Sequence, residues 1–178
     1  MIFSAVLSLK TQGQDLSKNA YSEKLALLDP LREPLFRSLI HSLKLTEGSR
    51  GLDIGCGIGS HTLIPADAVG ESGHVTGLDL SDELLAYAAQ RAHKAGLSQR
   101  VSFLKCDMNR LAFSDNALDW VWSADCAGYA PGDAASLIKH LAGLVKPGGS
   151  VFVLARKSLK FIEKSYKNHK FSVNSNIF

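Results

Sequence analysis

No apolar run in the sequence approaches the ~20 residues needed to cross a bilayer, so no membrane span is expected. Cysteine is scarce. Cys56, Cys106 and Cys126 are odd in number and show no CxxC spacing, so neither a disulfide framework nor a zinc site is indicated. A reduced, cytoplasmic compartment fits best. The histidines fall at no ligand spacing, and no metal is expected. There is no internal repeat and no low-complexity block. The opening stretch MIFSAVLSL is apolar but has neither a basic leader nor a small-residue cleavage site, so a signal peptide is not expected.

The charge is small and unevenly placed. From Arg156 to the end there are six basic residues and one acid, a net +5, so the remaining body carries −2 of the overall +3. A basic domain face for nucleic acid is therefore not supported, and a solvated tail is the simpler reading. What is present is an ordinary globular composition: 178 residues, 46% apolar and 21% charged. That is one domain's length, with room for a real core.

The chain divides into three parts. Residues 1–47 read as a helical cap, with apolar residues at helical spacing interrupted by Pro30 and Pro34. Two helices or one bent helix are expected there. Residues 48–156 alternate strands and helices. RGLDI, HVTGLDL, RVSFLKC, ALDWVWS and SVFVLA are the strands, and KPGG before the last is a tight turn. SDELLAYAAQRAHKAG is a strong helix, with Ser81 as cap, Asp82 and Glu83 on its positive end, and Gly96 as its stop. Residues 157–178 form the basic tail. Alternation of this kind predicts an α/β fold, a doubly wound and mainly parallel sheet that binds ligands beyond the carboxyl ends of its strands.

The stretch GLDIGCGIGSH lies at one such end. Gly55, Gly57 and Gly59 allow a tight turn and close approach of backbone to ligand. Amide groups at the start of the next helix favour anionic ligand groups. A dinucleotide fingerprint needs glycine where Ser60 stands, and the third glycine comes one place early. Asp79 ends the second strand, where a carboxylate can accept both ribose hydroxyls. Asp107 ends the third strand, on the adenine side of such a sheet, with Met108 beside it.

Together, GLDIGCGIG, GLDLS, CDMNRLAF, LDWVWSAD and LVKPGGSVFVLA resemble the class I (Rossmann-like) S-adenosylmethionine-dependent methyltransferases. The resemblance is to the small-molecule branch that includes quinone biosynthesis, and it covers about residues 48–155. It implies S-adenosyl-L-methionine as cofactor and a small-molecule methyl acceptor. It further implies that Gly55, Gly57 and Gly59 wrap the methionine part, and that Asp53 orients the loop and the ammonium group. Asp79 would bind the ribose, Leu80 would flank the adenine, Asp107 would hold the adenine amino group against Met108, and Ser123 would face the methionine part. The implied chemistry is in-line displacement at the methyl carbon, in which alignment counts most. Asp125 and Tyr129 are the candidates for a general base.

Several of these residues also have plainer readings. Asp53 can be structural, Asp125 can cap a loop and Tyr129 can line the pocket. His61 reads as a cap or surface residue, and Cys56 as a small side chain tolerated in a turn. Trp120 and Trp122 should share one face of their strand as core. Tyr21 is placed to reach the pocket from the cap.

Two features depart from the family pattern. Pro65 falls inside the helix after the glycine loop, which predicts a kink or a later helix start. After the fifth strand the family continues with a helix and two more strands, whereas only 23 residues follow Ala155 here. They could supply a short helix and one strand, KFSV. A shortened chain is the expectation, with part of the C-terminal sheet lacking. The fifth strand would then be an exposed edge that invites a homodimer. A catalytically weak or silent cofactor-binding module is the second reading, and a nicotinamide-dependent oxidoreductase the third.

Overall fold

A computed structural model describes residues 18–127, 134–154, 161–163 and 172–174. The chain begins there with α1 (Lys18–Ser42), followed by β1 (Arg50–Ile54), α2 (Ser60–Ala68), β2 (His74–Asp79), α3 (Asp82–Lys94) and β3 (Val101–Lys105). Then come β4 (Leu118–Ala124), α4 (Ala134–Leu144), β5 (Val145–Leu154) and two short strands, β6 (Phe161–Glu163) and β7 (Ser172–Asn174).

The five main strands form one parallel sheet in the order β3-β2-β1-β4-β5. Strand order therefore reverses between β1 and β4. Loops after these two strands leave in opposite directions and open a crevice at their carboxyl ends.

Period-two alternation sorts the strand residues onto two faces. On one face Leu52, Ile54, Val121, Val151 and Val153 pack with Leu137, Leu141 and Leu144 of α4. On the other, Trp120, Trp122, Val75 and Phe152 pack with Phe36 and Ile40 of α1, Ile64 of α2 and Ala92 of α3. The two tryptophans share a face, as their spacing predicts. The indole nitrogen of Trp120 donates to Ser49 Oγ at 3.0 Å.

α3 follows its sequence signals closely. Ser81 Oγ accepts the Leu84 amide at 3.3 Å. Gly96, at φ +71°, reverses the chain at the other end. There Leu97 N–H donates to Ala92 O and Gly96 N–H to His93 O. These are the paired bonds of a Schellman stop.

Other elements decide between the expected alternatives or depart from them. α1 is one continuous helix through Pro30 and Pro34. Each proline withdraws one backbone donor, and both lie on the exposed side of the helix. α2 starts at Ser60, not later, with Pro65 buried in its interior. The KPGG turn lies within β5. Leu118 pairs with Val145 but Trp120 pairs with Ser150, so residues 146–149 bulge from the ladder with Gly148 at φ +86°. The described C-terminal residues form the antiparallel pair β6–β7, and the rest of the stretch expected to supply a short helix lies outside the described residues. No described helix is long and apolar enough to cross a membrane.

Candidate cofactor site

The glycine loop connects β1 to α2. Gly55, Gly57 and Gly59 all have positive φ, at 76°, 54° and 79°, which non-glycine residues adopt at a cost of about 1–2 kcal/mol. The three glycines do different work. A Cβ on Gly55 would lie 2.3 Å from Cβ and Sγ of Cys126, and one on Gly59 would lie 2.9 Å from Ala88 Cβ. Those two let β4 and α3 approach the loop. Gly57 is different, because a Cβ there would meet only Leu25 Cδ1, at 3.8 Å. Its open side faces α1.

Between the loop and α1 lies a cavity of about 350 Å³. Its walls are Gly55 to Ile58, Ser60 and His61; Tyr21, Leu25, Asp29 and Arg32 of α1; and Ala124 to Cys126, with Asp79 and Leu84. The crevice predicted from strand order is thus roofed by the N-terminal helix, and Tyr21 does reach it.

Amide groups of the loop are largely committed to the protein. Gly55 and Cys56 both donate to Leu78 O at 2.8 Å, and Gly59 donates to Cys56 O at 2.9 Å. Gly57 donates to Asp79 Oδ2 at 2.9 Å. The other oxygen of Asp79 accepts from Ser81 N at 3.0 Å. A carboxylate oxygen has two acceptor positions, so each keeps one for a ligand hydroxyl. A pyrophosphate needs several free amides converging on it, and these four are spent.

Charge in the cavity is mostly negative. Asp29, Asp79 and Asp125 line it against one guanidinium, that of Arg32. Arg32 Nη2 donates to Asp125 Oδ2 at 3.1 Å and bridges α1 to the loop after β4. Asp125 sits at φ +56°. A second bridge holds α1 further along, where Asp29 Oδ2 accepts from Ser60 Oγ and from Arg91 of α3. Arg91 also donates to Ser60 Oγ at 2.7 Å. Sequence reasoning missed this set. Asp29 and Arg32 are one turn apart on α1, but their partners lie elsewhere in the chain and leave no local signature.

His61 is neither cap nor surface residue. Its ring stacks on Phe36 with centroids 3.6 Å apart. Burial depresses its pKa to about 4, so the imidazole is neutral at physiological pH. Burial raises the thiol of Cys56 strongly and that of Cys126 to about 11, which keeps both protonated and unreactive.

Two predicted site residues lie off the cavity walls. Asp53 does not reach the cavity. It is 1% exposed, and Thr62 Oγ1 donates to its Oδ2 at 2.6 Å. Burial, opposed by that bond and reinforced by the charge of Asp79, lifts its pKa to about 7. Ser123 is fully buried, with its hydroxyl donating to Ile54 O at 3.0 Å and accepting from Ala127 N at 2.9 Å. It fastens β1 to the loop after β4 and does not face the cavity.

Leu80, Asp107 and Met108 lie outside the cavity walls. Leu80 is 62% exposed. Asp107 Oδ1 accepts both the backbone and side-chain N–H groups of Asn109, at 2.9 and 3.0 Å. Those bonds hold its carboxyl below the usual range. Met108 packs against the core on the α4 side. Tyr129 lies outside the described residues.

The comparisons with known proteins agree with this geometry. The methyltransferase domain family matches residues 52–149. The chain is 37% identical over 107 residues to the demethylmenaquinone methyltransferase of Bacillus cereus, a match covering 60% of this chain and 44% of that protein. It thus spans less than half the length of that relative. The structure superposes on a SAM-dependent methyltransferase from Aquifex aeolicus with a TM-score of 0.65 and 27% identity, covering 74% of this chain and 71% of the other. It also superposes on the [4+2]-cyclase SpnF, with a TM-score of 0.60 and 32% identity, over 68% of this chain and 43% of that one.

Proposed function

The chain belongs to the S-adenosylmethionine-dependent methyltransferase family, and from that membership we propose that it transfers a methyl group to a small-molecule acceptor by in-line displacement. Its cofactor is S-adenosyl-L-methionine, which when bound supplies a methyl group already activated by the sulfonium.

The residues present fit that cofactor. A cavity of about 350 Å³ lies at the low end of the ~300–1,000 Å³ range of ligand sites. Asp79 keeps one acceptor position on each oxygen, which suits a ribose diol. Gly57 leaves the loop side open, so a ligand can lie against the backbone. The observation that carries the reading is the pairing of spent loop amides with three cavity carboxylates and one guanidinium. Such walls favour a net cation with one carboxylate over a dinucleotide with a pyrophosphate.

Within this reading the protein supplies alignment and exclusion of water. α1 covers the loop, and the ion pairs of Asp29 with Arg91 and of Arg32 with Asp125 help hold it there. Asp125 follows β4 on the cavity wall, and we take it as the carboxylate that accepts a proton from the acceptor. We keep Leu80, Asp107 and Met108 as proposals for the adenine side, beyond the described walls of the cavity, and Tyr129 as a proposed base. Residues 1–47 serve as the cap, 48–156 as the cofactor core and 157–178 as a tail.

A second reading has an observation of its own. SpnF is described as a [4+2]-cyclase, so a relative of this fold bears a name other than methyltransferase. In that reading the chain binds the cofactor without transferring its methyl group.

The deciding experiment is calorimetric titration of the chain with S-adenosylmethionine and with NAD. Micromolar binding of the first alone, lost in Asp79→Ala, supports the cofactor assignment. Binding of NAD, or of neither, would overturn it. Isotope transfer from the methyl-labelled cofactor to a panel of small acceptors then separates the two readings.

A further inference from the structure

We propose that the outward face of α1 pairs with the same face of a second copy of this chain, the two helices lying antiparallel about a twofold axis. A helix that packs one side on a core normally turns polar residues to water. α1 does not. Phe36 and Ile40 on its inner side are buried, yet four of the six large apolar side chains exposed among the described residues also lie on this helix. They are Tyr21 at 53%, Leu27 at 78%, Leu31 at 79% and Leu35 at 45%. Single exposed leucines are ordinary, whereas a continuous group marks an interaction face. Pro30 and Pro34, both exposed, extend the group.

The spacing and the charges on α1 fit a second α1 as the occupant. Lys24, Leu27, Leu31 and Pro34 follow one another at intervals of three, four and three, the seam of a two-helix pairing. Tyr21, Leu28 and Leu35 run along one flank of that seam, and Glu23, Pro30 and Arg37 along the other. In an antiparallel pair each flank meets the same flank of the other helix. With Leu27 of one copy opposite Leu31 of the other, Tyr21 meets Leu35, Pro30 meets Pro30, and Glu23 meets Arg37. The twofold axis makes each unlike contact twice. The exposed apolar side chains then cover one another, and an acid meets a base. Glu23 makes no ion pair among the described residues. Arg37 is bonded to Glu33 through Nε, at 2.8 Å, and its Nη1 stands 3.8 Å from Asp67, so its terminal nitrogens can turn to another carboxylate. A parallel pair would instead set Glu23 beside Leu28 and Arg37 beside Ser42 of the other copy, and both charges would go unmatched. Flanking charges select the direction of paired helices in this way.

Sedimentation velocity over a concentration series of the 178-residue chain tests the pairing. Wild type should pass from monomer to dimer as concentration rises, and Leu31→Glu should stay monomeric. Leu104→Glu, the same change at an exposed leucine of β3, should dimerise as wild type does. Glu23→Lys and Arg37→Glu should each weaken the dimer by about tenfold or more, because each sets like charges together at both ends of the pair. An equimolar mixture of these two variants should recover the dimer, since every charge then meets its opposite, and recovery also shows that both are folded. Pro30→Cys gives a readout that does not depend on those variants folding. Pro30 faces its own copy across the axis, so mild oxidation should link two Pro30→Cys chains covalently and leave wild type unlinked. A wild-type chain that is monomeric at every concentration would overturn the proposal. So would a dimer that persists in Leu31→Glu, which would place the contact elsewhere, or Pro30→Cys chains that do not link. A monomer that sediments with phosphatidylcholine vesicles, and no longer does so in Leu31→Glu, would give the face to a lipid surface and overturn the proposal as well.

Discussion

Asp79 Oδ2 accepts the amide proton of Gly57 at 2.9 Å, so the carboxylate that ends β2 also shapes the loop that follows β1. The residue assigned to the ribose and the loop assigned to the methionine part are one mechanical unit. Asp79→Ala should therefore cost more than a lost ligand contact, because Gly57 N–H loses its partner too. A hydrogen bond to a charged group is worth about 1.5–3 kcal/mol, which is about tenfold to a hundredfold in affinity. We expect weakening at or beyond the upper end of that range for S-adenosylmethionine and for 5′-methylthioadenosine alike. Calorimetry on both ligands checks it, and a loss confined to the first would sink the idea.

Asp53 gives a pH prediction. Its carboxyl is fully buried, and its pKa is raised from 3.8 to about 7. The folded state therefore holds this proton more tightly than the unfolded chain. The resulting stabilisation is complete below the unfolded pKa and is lost as pH rises through about 7. Asp53→Asn keeps the shape and an acceptor for Thr62 but cannot ionise. Urea unfolding from pH 4 to pH 8 should show a shallower decline in stability for Asp53→Asn than for wild type. Parallel curves would show that the carboxyl does not titrate in this range.

Ser123 was expected to contact ligand and instead joins two backbone segments. Ser123→Ala leaves Ile54 C=O and Ala127 N–H buried without this partner. An unsatisfied buried group costs about 1–3 kcal/mol. The variant should unfold at lower urea by that order, while 5′-methylthioadenosine affinity in the folded protein stays within about threefold of wild type. A large affinity loss at unchanged stability would restore the ligand role.

These cases show what was legible in the chain. The five strands, their parallel order and α3 with both of its stops are written in local patterns: apolar runs, alternation, a serine cap and a glycine stop. The place of Asp79 on the cavity wall was legible because a strand end is a local position. Asp53 and Ser123 have the right residue type in the right register. What withdraws them from the cavity is a tertiary partner, Thr62 nine residues on and Ile54 in another strand. Arg32 and Asp125 are 93 residues apart, and nothing near either one announces the other. Continuity of α1 was illegible for a related reason. Whether a proline breaks a helix depends on how its surroundings take up the freed carbonyl and the ring, and tertiary packing sets that.

The loop glycines provide the sharpest separation of folding from binding. At Gly55 an added methyl would sit 2.3 Å from Cys126, while at Gly57 its nearest neighbour would be Leu25 at 3.8 Å across the cavity. Both positions have positive φ, so both alanines carry a backbone cost of about 1–2 kcal/mol. Only Gly55→Ala must also move the loop after β4, because the neighbouring atoms are the short, stiff Cβ and Sγ of a half-buried cysteine. Gly55→Ala should therefore lose several kcal/mol of stability, the usual cost of overpacking added to the backbone strain. Gly57→Ala should lose no more than the backbone cost, yet its methyl points into the space assigned to the ligand. S-adenosylmethionine affinity should fall at least tenfold in Gly57→Ala while the protein remains folded. Urea unfolding and calorimetry on the same two variants test this. Equal stabilities, or a Gly57→Ala variant that binds like wild type, would mean that the ligand lies elsewhere than against this loop.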